Sequence, residues 1–105
     1  MEWKLNKSKP LTAQICEQIC LKIAIGDFLP ESKLPSVRET AIGLGVNPNT
    51  VQRAFENLEQ SGIIYSVRGS GSFVSPDITK AKETVSVVLR KKTEEFFSEM
   101  QALGL

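Results

Sequence analysis

The sequence predicts a mainly α-helical domain with one small β-hairpin, an α+β fold, followed by a helical C-terminal segment. Three observations carry that reading. Apolar residues recur at three- and four-residue steps over residues 10–25, 36–44, 47–61 and 78–103. One β-branched and aromatic stretch, Ile63-Ile64-Tyr65-Ser66-Val67, interrupts the helical pattern. Arg68-Gly69-Ser70-Gly71 then separates it from a second short stretch, Ser72-Phe73-Val74-Ser75, as a hairpin turn does.

The first helix is expected from Pro10 to Ile25. Ile15, Ile19 and Ile23 form one apolar stripe, and Pro10 suits a first turn, where its missing N–H is unneeded. Gly26-Asp27 stops the helix. Phe28-Leu29-Pro30 reads as a short extended piece, and Pro30 to Pro35 as a loop. Ser36-Val37-Arg38-Glu39 fits a capping box, so a second helix opens there, with Val37, Ala41 and Leu44 facing inward. Gly45 stands where a left-handed C-terminal residue belongs. Asn47 caps the third helix, Pro48 takes its first position, and Val51, Ala54, Phe55 and Leu58 form its inner face. The helix ends near Ser61-Gly62. Pro76-Asp77 closes this unit, which divides the chain at 1–76 and 77–105. In the second part Ala81, Val85, Leu89, Phe96, Met100 and Leu103 recur at helical spacing. The β-branched patch at Val85-Ser86-Val87-Val88 weakens helix propensity and leaves open whether this part is one helix or two.

Bulk properties bound the function. A chain of 105 residues supports one domain with its own core. No apolar run approaches the ~20 residues of a membrane span. Met1-Glu2-Trp3-Lys4 has no apolar signal core behind it. Both points favour the cytoplasm and no membrane partner. Thirteen basic and twelve acidic residues leave a net charge of +1, so any nucleic-acid footprint must come from arrangement and not from total charge. Cys16 and Cys20 lie four apart on a helix, as apolar fillers or, alternatively, as redox-active thiols. With no histidine in the chain, two thiols leave a tetrahedral metal shell half empty. No nucleophile with a base partner, no paired carboxylates and no phosphate-cradling loop stand out, so neither enzymatic activity nor a cofactor is expected.

Two short helices joined by a turn of about three residues make a helix-turn-helix. The hairpin that follows makes it winged. In such motifs the second helix enters the major groove of double-stranded DNA, and its N-terminal residues reach base edges. Asn47, Asn49, Thr50, Gln52 and Arg53 have the polarity and size for that task; the alternative is an ordinary solvated face. Ser36 and Arg38 stand at the mouth of the preceding helix. A cation there works against the helix dipole and suits a phosphate partner, the alternative being a surface ion pair. Gly69 and Gly71 let the hairpin tip approach a sugar-phosphate backbone, and Arg68 suits a minor groove; turn geometry alone is the competing reason for the glycines.

Four blocks carry a family resemblance: Leu34-Pro35-Ser36-Val37-Arg38-Glu39; Leu44-Gly45-Val46-Asn47-Pro48-Asn49-Thr50-Val51; Ala54-Phe55-x-x-Leu58-Glu59-x-x-Gly62; and Arg68-Gly69-Ser70-Gly71-Ser72-Phe73-Val74. In order and spacing they resemble the GntR family of bacterial regulators over roughly residues 10–76. The resemblance implies that Arg38 contacts phosphate or a groove-edge base. It also implies that Asn49, Thr50 and Arg53 lie on the DNA face and that Gly69 and Gly71 shape the wing. Many members carry arginine where this chain has Gln52, so the operator sequence does not carry over. The short region after Pro76 is similar to the YtrA subfamily, whose C-terminal part is reduced to dimerising helices. That implies a repressor that binds a palindromic operator as a homodimer.

Val85, Leu89, Phe96, Met100 and Leu103 are the expected dimer contacts, because on a monomer their stripe has little of its own chain to cover it. The alternative is that this helix folds back onto the first helix, and Trp3 suits either place. A winged-helix module that binds protein instead of DNA is the remaining rival, favoured only by the near-neutral charge. Nothing in the residues indicates a small-molecule effector.

Overall fold

A computed structural model describes residues 5–105. Trp3 lies outside them. The elements are α1 (Leu11–Ala24), α2 (Val37–Leu44), α3 (Pro48–Gln60), β1 (Ile64–Val67), β2 (Gly71–Val74) and α4 (Thr79–Ala102).

α1 is the core's spine: Ile15, Ile19 and Ile23 are each at most 1% exposed. Pro10 is its N-cap, one position earlier than expected, with ψ at 124°, so it ends the extended approach and does not enter the first turn. Gln14 ties that approach down. Its Nε2 donates to Asn6 O at 2.8 Å, and its Oε1 accepts from Asn6 N at 2.7 Å.

Residues 28–34 differ from the expected extended piece and loop. Phe28 is buried, and Leu29-Pro30-Glu31-Ser32 is a turn closed by Ser32 N donating to Leu29 O at 3.1 Å. Proline presets the second position, and Glu31 takes a left-handed φ of 63° at the third, the type II pattern. The reversal lays residues 31–34 along β2. Glu31 N donates to Val74 O at 2.8 Å, Val74 N to Ser32 O at 3.0 Å and Leu34 N to Ser72 O at 2.8 Å. The expected loop is thus a third, irregular edge that satisfies the backbone of β2. Sequence pattern missed it because the stretch has no alternation of its own.

α2 begins with the expected capping box: Glu39 N donates to Ser36 Oγ at 3.0 Å, and Ser36 N to Glu39 Oε1 at 3.2 Å. It ends at Gly45, whose φ of 67° an L side chain disfavours, with Val46 N donating back to Ala41 O at 3.1 Å. Lys7 donates from Nζ to Gly45 O at 3.2 Å, a cation at a helix C-terminus that no local pattern announces.

α3 buries Val51, Ala54, Phe55 and Leu58 against α1 and α2. Ile63 N bonds to Leu58 O at the helix end, so β1 starts at Ile64, one residue later than expected. The antiparallel register pairs Ile64 with Val74, Tyr65 with Phe73 and Val67 with Gly71, which makes Gly71 the first residue of β2. The Tyr65 and Phe73 rings stack across the strands at 5.6 Å.

α4 is a single helix of 24 residues, which settles the question of one helix or two. Asp77 anchors its start by accepting from Thr79 N at 2.9 Å. Ala81 is buried against α1, and Val85 packs at the edge of the same core. The first turns of α4 thus pack on the same core as α1. At 1.5 Å per residue, α4 is about 36 Å long. The body plus α4 spans 56 × 29 × 23 Å.

Candidate nucleic-acid interface

The candidate interface is built on α3. Its apolar stripe fixes the helix against the body, and this turns Asn49, Gln52 and Arg53 outward, all exposed. Thr50 sits half-buried beside them. Asn47 is exposed, but its Oδ1 accepts from Asn49 N at 2.8 Å, so its oxygen is occupied by capping. Ser36 is committed in the same way to Glu39. Both residues hold helix N-termini in place, and what they leave free is a donor. Arg38, the second residue of α2, is exposed.

Between α3 and the hairpin runs an open groove of about 280 Å³ lined by Gln52, Glu56, Arg68, Gly69 and Gly71, among others. It joins the outward face of α3 to the wing; Arg38 lies outside it. Within it, Gln52 Nε2 donates to Glu56 Oε1 at 3.2 Å. Gln52 therefore already has a partner on its own helix, one turn on. Glu56 adds an acid to the groove that the sequence reading left unassigned.

The wing tip turns at Val67-Arg68-Gly69-Ser70, with Ser70 N donating to Val67 O at 2.9 Å. Gly71 has φ 117°, and a Cβ there would meet Lys33 Cε at 3.1 Å. Glycine at this position thus serves backbone geometry and also lets the Lys33 stem cross the wing. Lys33 is exposed and places a cation beside the tip, which only the pairing of residues 31–34 with β2 makes visible.

The two cysteines are covered to different degrees. Cys20 is fully buried, and Cys16 Sγ donates to Ala54 O at 3.4 Å. Burial, helped by Glu17, pushes the Cys16 thiol up to about 11. Burial and the neighbouring Cys16 push Cys20 up to about 11, partly offset by a hydrogen bond with Thr84. Neither carries appreciable thiolate near neutrality, so the filler reading fits them. Among the described residues no group of three or more His, Cys, Asp or Glu could hold a metal ion, and no helix is long and apolar enough to cross a membrane.

Along α4, Val85 is half-buried on the core, whereas Leu89, Phe96 and Leu103 are 57%, 59% and 75% exposed. Met100 is half-buried. Phe97, which the stripe did not include, is 58% exposed and meets Phe96 edge-on at 6.3 Å.

Three helices with a hairpin beside the third define a winged helix-turn-helix domain. The chain belongs to the GntR family: residues 11–74, from the first turn of α1 to the end of β2, match the family described as "Bacterial regulatory proteins, gntR family". It is 39% identical to the transcriptional regulator YhcF of Bacillus subtilis over 105 residues, all of this chain and 87% of that protein. It is 46% identical to the repressor YtrA of the same organism over 73 residues, 67% of this chain and 54% of that one. A GntR family regulator from Listeria monocytogenes superposes with a TM-score of 0.79 at 41% identity, covering 95% of this chain and 88% of that one. The DNA-binding domain of AraR in complex with operator ORX1 superposes with a TM-score of 0.61 at 34% identity, over 71% of this chain and 92% of that chain.

Proposed function

We propose that this chain is a sequence-specific DNA-binding transcription regulator that represses by occupying a palindromic operator as a homodimer. The observation that carries the reading is the outward face of α3. Its N-terminal half presents Asn49, Gln52 and Arg53 to solvent, with the wing across the groove and Arg38 exposed on the preceding helix. The superposition on an operator-bound DNA-binding domain supports DNA as the partner of this fold.

In this reading Asn49, Thr50 and Arg53 reach base edges in the major groove, where asparagine pairs with adenine and arginine with guanine. Gln52 exchanges its bond to Glu56 for a base or a water. Ser36 and Asn47 set the two helix N-termini and offer their remaining donors to phosphate. Arg38 contacts the backbone, and Arg68 enters the minor groove from the wing, whose Gly69 and Gly71 keep the tip slim. The exposed stretch of α4 holds two copies together, so two reading heads face two half-sites. It is the dimerisation segment, and residues 1–76 are the reading head.

The test is a titration of labelled duplexes selected from a random pool, followed across a salt series. A palindromic consensus, with log affinity falling linearly in log salt, is the expected result. Selection that enriches no motif, together with salt-independent binding, would return the domain to the protein-interaction class.

A further inference from the structure

Beyond its core-packed first turns, α4 carries a seam at alternating three- and four-residue steps: Leu89, Lys92, Phe96, Glu99 and Leu103, all exposed. The apolar residues recur every seven positions, with a cation in one interval and an anion in the next. The flanks repeat the asymmetry. Arg90, Lys91 and Lys92 precede Glu94, Glu95 and Glu99, so the exposed stretch is basic toward the body and acidic toward its far end.

This pattern is self-complementary in one direction only. Side by side in parallel, two such helices set Lys92 against the partner's Lys92 and Glu99 against the partner's Glu99. Turned antiparallel about Phe96, they set Lys92 near the partner's Glu99 and Leu89 opposite the partner's Leu103. Leu89 and Leu103 each lie seven residues from Phe96, about 10.5 Å along the axis. Like charges placed opposite each other are costly, so the charge order selects orientation as well as contact.

The body supplies a matching seat. The crevice between α1 and α4 is lined by Leu21, Val85, Val88 and Leu89 and runs directly into the exposed seam. Leu21 is 37% exposed there. In the antiparallel arrangement the partner's Leu103 arrives at the mouth of this crevice. We propose that a second copy of this chain docks antiparallel along α4, with the two-fold axis beside Phe96, Lys92 paired with the partner's Glu99, and the partner's Leu103 closing the α1–α4 crevice. This rests on the dimer reading above and specifies its orientation.

The experiment uses the full chain with its native half-buried Cys16 and buried Cys20 as they are, with sedimentation giving the dimer constant. Lys92→Glu and Glu99→Lys should each weaken dimerisation by about tenfold, and the double exchange should restore it, because only an antiparallel pair turns repulsive on a single exchange. Oxidative cross-linking should join Leu89→Cys to Leu103→Cys in a mixture, while Leu103→Cys alone stays uncross-linked. A dimer unmoved by the single exchanges, or one in which Leu103→Cys links to itself, overturns the orientation and leaves the dimer standing. A wild-type chain that sediments as monomer at micromolar concentration overturns the dimer itself.

Discussion

At the scale of single residues, a few side chains can be tested for stability alone. Thr40 is 4% exposed and its hydroxyl has no hydrogen-bond partner among the described residues. Replacing it with the isosteric valine removes a desolvated polar group, so Thr40→Val should raise stability by about 1 kcal/mol in a denaturant titration. Ser36→Ala should cost about 1 kcal/mol, the usual loss of an N-cap. Its partner Glu39 has a carboxyl held below its ordinary pKa by the hydrogen bonds to Ser36, and Asp77 is lowered in the same way by Thr79. A carboxylate depressed by folding stabilises above its unfolded pKa and ceases to as pH falls through its folded one. The starts of α2 and α4 should therefore loosen below about pH 4, the ordinary carboxylate range. Circular dichroism down an acid series checks this, and Glu39→Gln with Asp77→Asn should flatten the dependence. The high thiol pKa values predict that Cys16 and Cys20 react with a thiol reagent only after unfolding. Rapid labelling of the native protein would reopen a redox role.

At the scale of elements, the proposed complex divides the work of binding between α3 and the wing. Arg38→Ala should weaken all duplexes alike and reduce the salt slope, as loss of a phosphate contact does. Arg53→Ala or Asn49→Ala should instead cost about 1–3 kcal/mol at particular base pairs. Equal losses on specific and random DNA would move the reading face elsewhere. Glu56→Gln removes an acid from the groove and weakens its hold on Gln52, so it should tighten non-specific binding and steepen the salt slope. Arg68→Ala should keep the melting temperature and lose affinity most on sites with A·T-rich flanks, whose narrow minor groove attracts cations. Most of these elements were legible in the sequence because each is locally determined. The Ser36–Glu39 box, the Asn47-Pro48 start and the Ile15, Ile19, Ile23 stripe are consistent within one or two turns of chain. What was not legible depends on distant contacts. The pairing of residues 31–34 with β2, the stem of Lys33 over Gly71 and the Lys7 cap on α2 each join segments far apart in sequence, with no periodic signature. The helix carrying Val85-Ser86-Val87-Val88 was ambiguous by propensity, and packing of Ala81 and Val85 on α1 settled it.

At the scale of the whole molecule, α4 belongs to two structures at once. Its first turns complete the core through Ala81, and its outer turns expose Leu89, Phe96 and Leu103. Phe96→Asp or Leu89→Asp should dissociate the proposed dimer while leaving the body folded, because neither side chain is part of the core. Analytical ultracentrifugation beside a thermal melt separates the two effects. Because the helix is unbroken between those roles, it also sets a length. From Ala81 to Phe96 is fifteen residues, about 22 Å of rigid rod, so in the antiparallel pair the two reading heads hang from points about 45 Å apart. That exceeds the ~34 Å of one DNA turn. α4 is then a ruler whose graduations are residues. A seven-residue insertion after Val88 keeps the seam in phase and lengthens each arm by about 10 Å. It should leave the half-site sequence unchanged and shift the preferred spacer between half-sites upward, which selection from a spacer library would read out directly.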